Sequence, residues 1–243
     1  MAQQEMKTYK VVTLGDPGVG KTSLLDRFVR GRFTSTPQVS IGGAPSTKIV
    51  QVDGVYVQFE LWDAGREKHQ MLTPSYLRDA AAAIVVYDTA NAESFRQGVA
   101  KWLRELQRLA PECVVAIVGT KSDLVAERKM VKGEGQVLAA RQRGGGVFEE
   151  TSAKTNLGVV DLFLKLGRKL LERERVQGEI EADTMQALLR SSPSKEFRYS
   201  RLFLVGKGRA GKTALARGLQ GKGFEETAST VGVEQATLEV EKT

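Results

Sequence analysis

The stretch Gly15-Asp-Pro-Gly-Val-Gly-Lys21-Thr22 constrains this 243-residue chain more than any other. Its GxxxxGK[ST] spacing makes a loop whose backbone N–H groups can converge on phosphate oxygens. Its lysine adds charge, and its hydroxyl suits a hard divalent cation. Such a loop needs a strand before it and a helix N-terminus behind it. The flanks supply both: the apolar run Tyr9 to Leu14 precedes it, and the amphipathic stretch Thr22 to Val29 follows. A second match, Gly206-Lys-Gly-Arg-Ala-Gly-Lys212-Thr213, repeats the layout after Leu202 to Val205.

Apolar runs of strand length alternate with helical patterns through the first 175 residues, which predicts a three-layer α/β domain with a mainly parallel sheet. Six strands are expected at 9–14, 46–52, 55–62, 83–88, 113–118 and 147–150. Asp53-Gly54 is a two-residue hairpin signal, so the second and third strands should be antiparallel. Helices are expected at 21–31, 73–80, 93–109, 133–143 and 156–175. In the third of these, Phe95, Val99, Trp102, Leu103 and Leu106 fall on one core-facing side.

Composition excludes several classes. No apolar run approaches the ~20 residues of a membrane span, and Met1 to Lys7 lacks the apolar centre of a secretory signal, so an intracellular, cytoplasmic protein is expected. The single cysteine, Cys113, excludes an internal disulfide and reads as a small apolar residue beside a core strand. A formal charge of +7 would allow a nucleic-acid partner, but the basic residues are interspersed with acids, as in Arg168 to Arg175, and nucleic acid is not expected.

The phosphate loop alone leaves kinases, ATPases and GTPases open. Thr120-Lys121-Ser122-Asp123, directly after the apolar run Val114 to Val118, narrows the choice. It should project from the C-terminal edge of the sheet, where ligands bind in open α/β folds. A carboxylate there can accept from both N1–H and the exocyclic amine of guanine, a donor pair that adenine lacks. The stem of Lys121 can cover the face of the base. Ser152-Ala153-Lys154, after the last strand, can offer a backbone N–H to the guanine carbonyl.

Residues 8 to about 171 resemble a Ras-superfamily small GTPase of the Rab family. The resemblance rests on Gly15 to Ser23, Trp62-Asp63-Ala-Gly65, Ile84-Val-Val-Tyr-Asp88, Ser94-Phe95, Trp102 and Glu150-Thr-Ser-Ala-Lys154 in order and spacing. Gly31-Arg-Phe33, Ser40-Ile-Gly-Gly-Ala44 and Leu103-Arg-Glu-Leu-Gln107 point to the early-endosomal branch. The resemblance implies a P-loop NTPase fold, a GTP/GDP ligand with Mg²⁺, and GTPase activity in vesicle traffic. It implies that Gly15, Gly18, Val19, Gly20, Lys21, Thr22 and Ser23 hold phosphates, with Lys21 on the β and γ phosphates. Thr22, Ser40 and Asp63 would serve the metal, and Gly65 the γ-phosphate. Phe33, Thr120, Lys121, Asp123, Ser152, Ala153 and Lys154 would serve the nucleoside. Two switch loops, about 33–45 and 63–79, would relax on hydrolysis and be read by effector and regulatory proteins.

Departures from the family pattern bear on activity. Ser40 stands for the switch-I threonine and keeps its hydroxyl. Where the family reads Trp-Asp-Thr-Ala-Gly-Gln-Glu, this chain reads Trp62-Asp63-Ala64-Gly65-Arg66-Glu67, one residue short and with Arg66 for the catalytic glutamine. Arg66 cannot accept a proton from water, so weak hydrolysis is expected. Pro17 fixes a backbone angle in the phosphate loop and removes a donor. Thr120 replaces an asparagine that ties the base motif to the phosphate loop; its shorter reach is expected to lower guanine affinity. Pro45 replaces an aromatic that would join Trp62 and Tyr76 in an effector-facing cluster. His69 reads as a solvated loop residue. A non-catalytic GTP-binding scaffold is the main alternative, and an adenine-nucleotide enzyme a third.

Residues 176–199 read as a charged linker, with helical pattern over Ile180 to Arg190. Residues 200–243 resemble the start of another Ras-like domain, of the Roc type, without a base-reading motif. Two strands and one helix cannot cover a sheet on both faces, so independent GTP binding there is not expected. Either this segment packs on the first domain or a partner, or it belongs to a longer tandem protein, the preferred reading. No prenyl-acceptor motif is seen, so endosomal or other vesicle membranes would be reached only indirectly.

Overall fold

The computed structural model describes residues 6–35, 45–63 and 74–191. Ser40, Gly65, Arg66, His69 and the second phosphate-loop match lie outside the described residues. The chain divides into two units, Met1–Ala182 and Asp183–Thr243. The first holds the sheet. Of the second, only helical residues up to Ser191 are described.

Among the described residues six strands form one sheet: β1 (Met6–Leu14), β2 (Ser46–Val52), β3 (Val55–Asp63), β4 (Ala82–Asp88), β5 (Val114–Thr120) and β6 (Val147–Glu150). Their spatial order is β2-β3-β1-β4-β5-β6. All neighbours are parallel except β2 and β3. That pair is a hairpin turned by Asp53 and Gly54, both at positive φ (49° and 88°), the geometry of the tight turn that matches strand twist.

Among the described residues the α-helices are α1 (Lys21–Arg30), α2 (Pro74–Leu77), α3 (Ala100–Leu109), α4 (Lys132–Ala140) and α5 (Val159–Ser191). Alternate residues of the central strands point to opposite faces, so a buried strand must be apolar throughout; all of β4 is buried. Val11, Ala82, Ile84 and Val86 join Leu24, Leu25 and Phe28 of α1 and Leu162, Phe163 and Leu166 of α5 in one core. Phe28 and Phe163 stack with ring centroids 3.5 Å apart. Val12, Leu14, Ala83, Val85 and Tyr87 face Val99, Trp102 and Leu106 in the other. The three-layer α/β arrangement and the predicted face of α3 are thus both observed. Cys113 is buried, and burial pushes its thiol up to about 12, as a core residue rather than a nucleophile.

Two helical expectations need correction. The last helix does not stop at residue 175 but runs on to Ser191, taking in the stretch Ile180 to Arg190 whose pattern reads as helical. Nothing in 176–191 forces a stop: no proline occurs there, and the one glycine, Gly178, costs only about 1 kcal/mol. Arg175–Glu179 and Gln177–Glu181 pairs at i,i+4 favour continuation. The third helix is not uniform either: Ser94–Val99 is wound as a π-helix before α3 begins. Such wide turns are rare and recur beside functional sites, and this one brings Gly98 against the phosphate loop, as described next.

Candidate functional site

The site lies at the C-terminal ends of β1, β3, β4, β5 and β6. The loop after β1 can turn this sharply because of Gly15: at φ 147° its Cα lies so near β4 that a Cβ would stand 2.4 Å from the Val86 carbonyl oxygen. Gly18 and Gly20 also have positive φ, and Val19 between them is buried. None of the backbone N–H groups from Gly18 to Ser23 donates to an acceptor among the described residues. The start of α1 therefore presents an anion-binding end. Pro17 is exposed at the loop tip and does not stop the loop from closing.

Lys21 folds back into this concavity. Its ammonium donates to the Gly15 carbonyl (2.7 Å) and the Asp16 carbonyl (2.9 Å). Burial lowers its pKa, opposed by the charges of Asp63 and Asp16. Thr22 donates its hydroxyl to Asp63 Oδ2 at 2.7 Å, joining the start of α1 to the end of β3. A hydroxyl oxygen and a carboxylate oxygen side by side are the ligand chemistry of Mg²⁺, so the residues present fit that ion.

The other half of the site hangs from β5 and β6. Asp123 Oδ1 accepts the Ser152 hydroxyl at 2.6 Å, and Ser152 Oγ in turn accepts the Thr155 N–H (3.1 Å). The Ser122 N–H donates to the Thr151 carbonyl (3.1 Å), so the loops after β5 and β6 hold each other. Lys121 adopts φ 57° and pairs with Asp88 at 2.7 Å. Phe33 stands 38% exposed on the segment after α1, an uncovered aromatic.

Thr120 corrects an expectation about reach. Its hydroxyl meets the Val19 carbonyl of the phosphate loop as well as the Tyr87 carbonyl (2.9 Å). The short side chain suffices because the phosphate loop passes within contact of it; a Cβ on Gly20 would lie 3.5 Å from Thr120 Oγ1. The tie between base motif and phosphate loop is therefore kept, through a hydroxyl shared by two carbonyls. Thr120→Val, similar in shape, should cost about 1–2 kcal/mol of stability by leaving a buried carbonyl unpaired. Urea unfolding of the nucleotide-free protein would measure it, and an unchanged midpoint would show the tie to be idle.

Sequence reasoning missed residues that act on the site from outside it. Trp102 Nε1 donates to Asp16 Oδ1 (3.3 Å), and Gly98 makes room, since a Cβ there would lie 2.5 Å from Asp16 Oδ2. Trp102 reads from its spacing as core, and it is both core and anchor. Arg128 forks onto the buried carboxylate of Glu150, which closes β6; that hydrogen bond raises the arginine's pKa. Arg27 reaches the loop after β6 and has no sequence signal beyond its place on α1. Trp62 stacks edge-on with Tyr76, and the Lys10 ammonium lies 4.5 Å above the Trp62 ring.

A strand-loop-helix phosphate cradle joined to a separate carboxylate-bearing loop on one sheet edge defines a P-loop nucleotide-binding protein, and comparison with known proteins agrees. The profile of the Ras family matches residues 10–172. A Ras-related protein Rab-5A of Dictyostelium discoideum is 44% identical over 164 residues, 67% of this chain and 80% of that protein. A Ras-related protein Rab5A of Oryza sativa subsp. japonica is 42% identical over 175 residues, 71% of this chain and 85% of its own. A Ras-related protein Rab5 of Nicotiana tabacum is 42% identical over 170 residues, 69% of this chain and 84% of its own. The chain belongs to the Ras family of small GTPases and, within it, to the Rab proteins, on the early-endosomal branch that the Rab5 relatives mark. Members of this family bind GTP and GDP with Mg²⁺, act as switches in vesicle traffic, and engage effectors and regulators.

Proposed function

We propose that this chain is a Mg²⁺-dependent guanine-nucleotide switch that hydrolyses GTP slowly. The observation that carries the binding half of this reading is the Thr120 hydroxyl on the Val19 carbonyl, which fixes the phosphate loop and the base-reading loop to each other. The backbone of Gly15 and Gly18 to Ser23 takes the phosphates and Lys21 neutralises them. Thr22 and Asp63 hold Mg²⁺ together with Ser40; when bound, the ion neutralises charge on the β and γ phosphates. Asp123 pairs with the guanine edge, Lys121 and Phe33 cover the base, and the backbone of Ser152, Ala153 and Lys154 meets its carbonyl. Mass spectrometry of nucleotide retained by the purified chain tests this half. Recovery of GDP or GTP is expected, and an empty protein or an adenine nucleotide would overturn it.

The slow half rests on Trp62-Asp63-Ala64-Gly65-Arg66-Glu67. A missing residue ahead of Gly65 shifts the N–H that should meet the γ-phosphate, and Arg66 offers no acceptor to orient the attacking water. Inserting Thr after Asp63 together with Arg66→Gln should raise the single-turnover rate about tenfold or more, since an oriented water is worth at least that. No change would sink this account of the defect. The same two departures favour a second reading, a scaffold that signals by GTP occupancy with no turnover at all; prolonged incubation with radiolabelled GTP separates the two.

The cellular role follows from family membership: a vesicle-traffic switch read through the loops near 33–45 and 63–79. Pro45, in place of the family's aromatic beside Trp62 and Tyr76, gives this chain a changed effector face. Attachment to membranes is peripheral in this reading; among the described residues no helix is long and apolar enough to cross a membrane. Residues 8–175 form the switch domain in this reading.

A further inference from the structure

Arg27 spends its guanidinium on backbone. Nε donates to the Ala153 carbonyl at 2.6 Å, Nη2 to the Lys154 carbonyl at 3.2 Å, and Nη1 to the Gly31 carbonyl at 2.6 Å. The Gly31 N–H returns a bond to the Arg27 carbonyl at 3.0 Å, so Arg27 and Gly31 clasp each other where α1 ends. One planar fork thus ties three points: α1, which begins at the phosphate loop; the loop after β6; and the start of the segment that carries Phe33. Among the described residues no carboxylate pairs with Arg27. A surface arginine has no need of such geometry, whereas a planar five-donor group suits the fixing of several carbonyls at once.

Holding those carbonyls has a consequence for the site. In a trans peptide the N–H points opposite to the C=O of the same plane. The Lys154 carbonyl turned toward Arg27 aims the Thr155 N–H the other way, and that N–H is found on Ser152 Oγ, the group that holds Asp123. By the same rule, the Ala153 carbonyl on Arg27 turns the Lys154 N–H away from α1, and this N–H has no acceptor among the described residues. We infer that Arg27 is a positioning residue for base recognition: it orients the 152–155 loop and couples that loop to the Gly31–Phe33 segment, so that loosening either end speeds nucleotide release. The inference rests on the guanine-binding reading above and adds to it a residue outside the family's nucleotide motifs.

The test is the full-length chain with Arg27→Met and Arg27→Lys, using fluorescent GDP and fluorescent ADP as probes. Arg27→Met should speed GDP release about tenfold, the effect of losing directed hydrogen bonds at one end of the ligand. ADP affinity should fall by a much smaller factor, through the Phe33 segment alone, so the GDP:ADP preference drops severalfold. Arg27→Lys keeps the charge and stem but cannot serve three carbonyls, and should fall between. A merely structural role would weaken both nucleotides alike and lower the unfolding temperature without changing their ratio, which would overturn the inference. So would a wild-type ratio and release rate in both variants. If Arg27→Met fails to fold, the Arg27→Lys ratio decides alone. A wild-type chain that holds no guanine nucleotide would instead defeat the parent reading, a result visible before any variant is made.

Discussion

Lys21→Met should lower guanine-nucleotide affinity about a hundredfold while the protein still folds. Lys21 is 7% exposed, its ammonium is held by two carbonyls of its own loop, and burial already depresses its pKa. For folding, removing it has offsetting effects. The desolvation cost disappears with the charge, and the Gly15 and Asp16 carbonyls lose a donor, so nucleotide-free stability should move by no more than about 1–2 kcal/mol. Binding has no such compensation. Phosphate oxygens would enter a concavity that has lost its buried cation, where charge-assisted hydrogen bonds are strongest because water is scarce. Titration with fluorescent GDP, beside thermal unfolding of the nucleotide-free protein, measures both quantities. Full affinity in a folded variant would take Lys21 out of the site.

Asp123→Asn should exchange the base preference from guanine to xanthine. A carboxylate offers two acceptors to the N1–H and amino donors of guanine. An amide offers one acceptor and one donor, which suits the N1–H and ring carbonyl of xanthine and leaves guanine's amine facing another donor. Sites built to hydrogen-bond a ligand reject an analogue that mismatches them by large factors, because a buried polar group is left unpaired. Guanine affinity should therefore drop by about a hundredfold or more. The side chain should stay in place, since the Ser152 hydroxyl that now donates to Asp123 Oδ1 can donate equally to an amide oxygen. Competition of GTP and XTP for a fluorescent guanine nucleotide gives the ratio, and an unchanged preference would show that Asp123 does not read the base.

Much of the fold is legible in the chain because short-range chemistry specifies it. The run Ala82 to Asp88 has no polar residue until its end, so it can only be a strand buried on both faces, and it is. Asp53-Gly54 fixes a turn, and the turn fixes the register of β2 on β3. The end of α5 is misread for an equally local reason. Charge density and a glycine suggest a linker, but a helix already nucleated on a packed face adds residues at little cost, and i,i+4 pairs carry it onward. The π-helix before α3 is invisible to a 3.6-residue period, and it holds Gly98 where Asp16 comes close.

The candidate site divides in the same way. Lys21, Thr22, Asp123 and Ser152 could be named from motif spacing, since each motif is a contiguous piece of backbone with its own conformation, and Asp63 from the family resemblance. Whether Thr120 can do the work of a longer side chain could not, because that depends on how closely the loop after β1 passes the end of β5. Arg27, Trp102 and Arg128 were likewise out of reach: their partners lie 126, 86 and 22 positions away. Alone, the order of residues determined the strands and the strand-loop-helix cradle, because those follow from periodicity and turn chemistry within a few neighbours. Tertiary structure alone decided what holds the cradle to the base-reading loops, because a hydrogen bond between distant segments exists only once packing has brought its donor within about 3 Å of its acceptor.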